Sequence, residues 1–133
     1  MTLGELRFDI VILACAISAG IHGALVPDHF AEGTGAGVGF VTATVLLGAI
    51  AVALTRKPTP LVLLGAAAVF IVLLVSYALA ITTGVPLLHP EVEAVDGLAL
   101  FTKAVEAIGL FTAATLIQRP SVADILRPEG TPT

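Results

Sequence analysis

Four long apolar runs, at about 8–26, 38–55, 61–81 and 98–117, alternate along the chain with short stretches rich in Gly, Pro and charge. A helix needs about 20 apolar residues to cross a hydrocarbon core of roughly 30 Å, so each run is long enough to span a membrane. Lipid offers the backbone no hydrogen bonds, which makes each run helical, and four runs with such gaps do not close a β-barrel. The gaps carry breakers: Pro27 with Gly33, Gly35 and Gly37, then Pro58 and Pro60, then Gly84, Pro86 and Pro90. Short connections make consecutive helices antiparallel neighbours. The expected fold is all-α, an integral membrane four-helix up-down-up-down bundle in a single domain, 1–133. A short cytoplasmic tail, 118–133, carries one amphipathic turn at 122–126.

Charge gives this bundle a direction. Arg7 precedes the first run, Arg56 and Lys57 fill the second gap, and Arg119 and Arg127 follow the fourth run, whereas the first and third gaps have no Lys or Arg. The positive-inside rule then puts both termini in the cytoplasm, N-in and C-in, in the cell's inner (plasma) membrane. Asp28, His29, Glu32, His89, Glu91, Glu93 and Asp96 fall on the opposite, outer face. Asp9 belongs at the cytoplasmic boundary beside Arg7. The segment Ala14-Cys15-Ala16 has the small residues of a signal-peptide end, but the apolar run continues past it and Glu5 and Asp9 dilute the basic start, so a retained span is expected.

Composition narrows the function classes. The chain is 57% hydrophobic, with a mean hydropathy of +1.05, against roughly 45–50% apolar residues in water-soluble domains. With 12% charged residues and no Trp, no nucleic-acid surface can be assembled. Cys15 has no second cysteine to pair with, which excludes a disulfide framework and any Cys-x-x-Cys motif. The one Met is the initiator, so a thioether path for copper(I) is absent. No nucleophile with a neighbouring base and no phosphate-binding Gly loop is present, and an enzyme is not expected.

Helices in lipid associate through small residues that permit close approach. Ala16, Gly20 and Ala24 form such a ridge on the first run, Gly39 and Ala43 on the second, and Gly109 and Ala113 on the fourth. These fit either a compact bundle or a homo-oligomer.

Ionisable groups inside a span cost about 2.5–3.5 kcal/mol each on insertion scales, which marks them as candidate functional residues. At about 1.5 Å per residue from the outer helix ends, Lys103 lies roughly 8–9 Å deep, Glu106 roughly 13 Å and His22 roughly 6 Å. Ser76 and Tyr77 lie at a depth similar to His22. Lys103 and Glu106, three positions apart, share a helix face, and Glu106 shares a stripe with Thr102, Gly109 and Ala113 expected to face the interior. Two readings stand side by side: an ion pair that fixes packing, and a proton or cation relay with Glu106 as carrier, Lys103 biasing it and His22 handing protons outward.

A second constellation lies around Pro27. His29 and Glu32 are an i, i+3 pair if the segment is helical, with Asp28 as the expected N-cap. His22 precedes His29 by roughly 10 Å of helix, so the two share one ion only if Pro27 folds the segment back. His89, Glu91, Glu93 and Asp96 come to the same face. Imidazole with carboxylate suits Zn, Mn, Fe or Cu(II), making His29, Glu32 and His89, with Glu91 or Glu93, a candidate metal set; a solvated acidic loop face is the alternative. A bis-histidine haem is disfavoured because only His22 lies within a span.

Ala19-Gly20-Ile21-His22, Pro27-Asp28-His29-Phe30-Ala31-Glu32 and Gly39-Phe40 resemble a family of small four-helix bacterial membrane proteins. In that family a His ends helix 1, a His-Phe-x-Glu stretch follows and a Glu sits in helix 4. The resemblance covers most of the chain. It implies that His22, His29, Glu32 and Glu106 matter, and it implies no activity. Leu87-Leu88-His89-Pro90 departs from the family's Gly-rich loop, which leaves His89 outside the carry-over.

The expected function is a polytopic membrane protein that binds or passes a small cation, a transition metal or a proton, through an outer-half site. His22, His29, Glu32 and His89 are its candidate metal ligands, and Lys103 and Glu106 its candidate relay. The competing expectation is an accessory or assembly subunit of a larger membrane complex, with lipid and helical partners only.

Overall fold

The computed structural model of the chain describes residues 2–86 and 90–118. The expected tail turn at 122–126 and His89 lie outside the described residues. Among the described residues the fold has four helices: α1 (Leu3–Glu32), α2 (Thr34–Arg56), α3 (Pro60–Ala80) and α4 (Gly97–Ile117). All four are long and apolar enough to cross a membrane.

Their starts follow from local chemistry. Thr2 and Glu5 form a capping box, in which the Glu5 backbone N–H donates to Thr2 Oγ1 at 3.2 Å and the Thr2 N–H to Glu5 Oε2 at 2.6 Å. Thr59 Oγ1 accepts from the Val62 N–H, with Pro60 at the first helical position, where its missing N–H costs nothing. Asp96 Oδ1 accepts from the Ala99 N–H at 2.8 Å and so starts α4.

The first connection departs from expectation. Rather than ending near Pro27, α1 runs through it to Glu32. Asp28 is therefore an interior helical residue and not an N-cap, and no fold-back brings His22 to His29. At about 1.5 Å per residue a helix of 30 residues is roughly 45 Å long, longer than a hydrocarbon core of about 30 Å is thick, so α1 extends past the apolar layer at one end or both. Gly33 alone separates α1 from α2, its N–H donating to the His29 carbonyl at 3.0 Å. Gly35 and Gly37, expected in a loop, belong to the first turns of α2. The Phe30 ring covers Gly37 so closely that a Cβ there would collide with it.

α1 packs on α2 and α4, and α3 on α4 and α2, closing a four-helix bundle in which α2 and α3 touch least of these four packed pairs. Its interior is built largely of small side chains: Ala14, Cys15, Ala19, Ala51, Ala66, Ala67 and Ala113 surround Phe70, Leu47 and Val11. Large apolar residues such as Val45, Leu61, Val72 and Phe111 face outward. Water would not tolerate so apolar a surface, whereas lipid supplies matching contacts and leaves close approach to hold the helices together. Gly109 illustrates that approach, since a Cβ on it would lie 2.7 Å from Phe70 and 2.8 Å from Ala14. The Gly109/Ala113 ridge is buried as packing requires, whereas Ala16, Gly20 and Ala24 lie on an exposed face of α1. The buried face of α1 is instead Val11, Ala14, Cys15, Ser18, Ala19 and His22, at spacings that alternate between three and one.

Candidate functional site

The candidate site residues among the described residues converge on one end of the bundle in two groups. The deeper group joins α1 to α4. Glu106 is fully buried and carries Thr102, Gly109 and Ala113 into the interior with it, as the shared stripe predicts. Its carboxylate is held from two sides: Ser18 Oγ donates to Oε1 at 2.7 Å and Lys103 Nζ to Oε2 at 2.7 Å. The Lys103 ammonium also lies 5.5 Å from the centre of the Tyr77 ring, on α3, within cation–π range. Three helices thus share one charged node.

His22 completes this group. Its Nδ1 lies 2.8 Å from the Ser18 carbonyl, and a carbonyl oxygen only accepts, so Nδ1 carries a hydrogen and donates it. Nε2 is left to face Glu106 Oε1 at 4.0 Å. Ser18, one helical turn before His22, was absent from the residues singled out by sequence. The only signal for it was a hydroxyl four positions before a buried His on a face of small residues.

The shallower group lies where the two connections meet. His29 repeats the arrangement of His22: Nδ1 donates to the Leu25 carbonyl at 3.0 Å and Nε2 points to Glu32 Oε2 at 3.9 Å. Glu93 arrives from the α3–α4 connection, which is tied down where the Glu93 backbone N–H donates to the Ala80 carbonyl at 2.9 Å, satisfying an acceptor left open at the end of α3. One ligand atom from each of His29, Glu32 and Glu93 lies within 4.8 Å of the other two. A histidine that ligates a metal generally donates its other ring N–H to a carbonyl or carboxylate, and His29 is set up in that way. Of the alternatives Glu91 and Glu93, the geometry brings Glu93 to the pair.

Phe40, on α2, separates the two groups. Its ring stacks on His29 with centroids 3.5 Å apart and meets His22 at 5.0 Å and a 40° tilt. The expected metal set therefore divides. His29 and Glu32 stay together, whereas His22 lies across Phe40 with Glu106. The sequence noted Phe40 only within the Gly39-Phe40 stretch of the resemblance and gave it no role, because an aromatic in an apolar helix has no distinctive spacing.

Both groups line a cavity of about 840 Å³. No protein-family model, no curated protein and no solved structure matches this chain.

Proposed function

We propose that this multi-pass membrane protein binds or passes a small cation through its polar end, and that the His29, Glu32 and Glu93 cluster takes a divalent transition metal. The observation that carries the reading is the convergence of one imidazole and two carboxylates, from α1 and from a connection about 60 residues away in sequence, within 4.8 Å. Coordination distances of about 2.0–2.2 Å require only small side-chain movements from there, and three protein ligands leave a position open for water or cargo. One nitrogen and two oxygens favour Zn, Mn or Fe over softer ions. Below it, Glu106 with Lys103 and His22 serves as a proton or cation relay, insulated from the metal by Phe40. The distribution of Arg7, Arg56, Lys57, Arg119 and Arg127 supports an up-down-up-down topology with both termini cytoplasmic, so the site faces outward from the inner membrane. The chain acts as a binder or conductor and not as an enzyme.

Elemental analysis of protein purified in detergent tests this. A stoichiometric divalent metal is expected in the wild type, with uptake weakened on the order of 100-fold in His29→Ala and Glu93→Gln, since losing a ligand costs at least what losing its supporting partner costs. Equal uptake by wild type and both variants discards the metal site.

A second reading, an accessory subunit of a larger membrane complex or a homo-oligomer, is favoured by the exposed Ala16, Gly20 and Ala24 face of α1, a surface suited to close helix approach. Gentle extraction should then bring out further chains or copies, and Gly20→Leu should release them.

A further inference from the structure

The hydrogen bonds of the deeper group separate a proton from any other cation as its cargo. Ser18 has one hydroxyl hydrogen, and the 2.7 Å contact commits it to Glu106 Oε1. Toward His22 Nδ1, 3.3 Å away, Ser18 Oγ therefore only accepts. The Nδ1–H is divided between that hydroxyl oxygen and the Ser18 carbonyl at 2.8 Å. Of these two acceptors only the hydroxyl can pass a hydrogen on, because a carbonyl has none to give. Nδ1–H, Oγ–H and Oε1 thus form an unbroken run from an imidazole to a carboxylate. The direct route is longer: Nε2 lies 4.0 Å from Oε1, beyond hydrogen-bond reach.

The donors of this group all point at Glu106. Ser18 Oγ–H meets one carboxylate oxygen and Lys103 Nζ–H the other, at 2.7 Å each. A metal ion arriving there would meet hydrogens where it needs lone pairs, with an ammonium beside it. A proton needs no such vacancy, since it advances by exchanging covalent and hydrogen bonds in place. The charged or titratable neighbours of His22 and Glu106 are Lys103 on α4, Tyr77 on α3 beside Lys103, and His29, held behind Phe40 of α2.

We propose that the deeper group carries protons and no other cation, and that the Ser18 hydroxyl passes them between His22 and Glu106. This rests on the relay proposed for Glu106 and names its cargo. A proton delivered from the cavity, which His22 lines, bonds to the lone pair of Nε2. The Nδ1–H bond breaks as a new O–H bond forms on Ser18, and the old Ser18 O–H bond breaks as one forms on Glu106 Oε1. His22 is left neutral with its hydrogen on Nε2, Glu106 is left neutral, and no electrons leave the group. Lys103, deprived of its counter-ion, then favours return of the proton by the same path.

The full chain in nanodiscs is followed by infrared spectroscopy after acid is released from a caged precursor. The signal is the C=O band of a protonated carboxyl group that is missing in Glu106→Gln. Ser18→Ala should reach the wild-type acid plateau at a rate slowed on the order of 100-fold, the low end of what a positioned proton-transfer group contributes, and Ser18→Thr should restore the rate. The wild-type rate in Ser18→Ala overturns the role of Ser18. In the wild type, which needs no variant to fold, the rate should fall along a curve as deuterium replaces hydrogen in the solvent, because several hydrogens move together. A straight line overturns the proposal. Zinc added to His29→Ala/Glu93→Gln should leave the Glu106 carboxylate bands in place, and a shift that vanishes when Glu106→Gln is added overturns the restriction to protons. Absence of any Glu106 band at every pH would bring down the relay itself, and the wire with it.

Discussion

The two histidines of this bundle are built alike and surrounded differently. His22 and His29 each donate Nδ1–H to the carbonyl four residues earlier on α1 and each rest against Phe40. Yet His22 is buried beside a carboxylate fixed by Ser18 and Lys103, whereas His29 meets a half-exposed Glu32 and a carboxylate carried on a loop. Depth makes the difference. In the deeper group every charge must be answered within the protein, so its geometry is part of what holds α1 to α4. At the mouth, where Glu32 is half-exposed, solvent shares that work and the side chains remain available for a ligand.

The sharpest way to break this contrast is to remove one charge from the deeper group. Lys103→Met strips Glu106 of its counter-ion, and truncating one partner of a buried pair costs about 3–5 kcal/mol. A large fall in the detergent unfolding temperature is expected, with most of it recovered in Lys103→Met/Glu106→Gln. A double variant no more stable than Lys103→Met would mean that the pair is solvated and the two groups are equivalent.

Packing beneath the deeper group gives the next effect. Gly109→Val places atoms against Phe70 and Ala14, and overpacking of this kind costs about 1–3 kcal/mol. Because α4 must move away from α1, the Ser18–Glu106 contact should lengthen as well. Cross-linking yield between cysteines placed on the two helices measures that movement.

At the mouth, Glu32→Gln, on a half-exposed side chain, should change stability by no more than about 0.5 kcal/mol, the range of surface substitutions, while it weakens metal uptake on the order of 100-fold. A loss of stability as large as that of Lys103→Met would place the mouth group among the elements that hold the bundle together.

Much of this was legible beforehand. The Lys103–Glu106 pair and the inward turn of Thr102, Glu106, Gly109 and Ala113 follow from helical spacing, because residues three and four apart share a face whatever the neighbouring helix is. The His29–Glu32 pair follows for the same reason. Glu93 was one of two candidates, since a loop has no period from which to choose between it and Glu91. Ser18 was missed, and Phe40 was noted in the resemblance without a role, because each acquires its role from a residue on another helix. The first connection was misjudged because Pro27 and the glycines are breakers in isolation, whereas the packed α1–α2 pair retains the helix through them.

Sequence alone determined the solvent and the number of spans: four apolar runs of membrane length admit no other medium, and lipid forces each to be helical. It also placed charge along each helix, a local property of spacing. Tertiary structure decided which helix faces meet. It turned Ala16, Gly20 and Ala24 outward, buried Ser18 against Glu106 and set Phe40 between the histidines. Small-residue ridges occur on several faces of these helices, and only the simultaneous packing of all four selects which of them close.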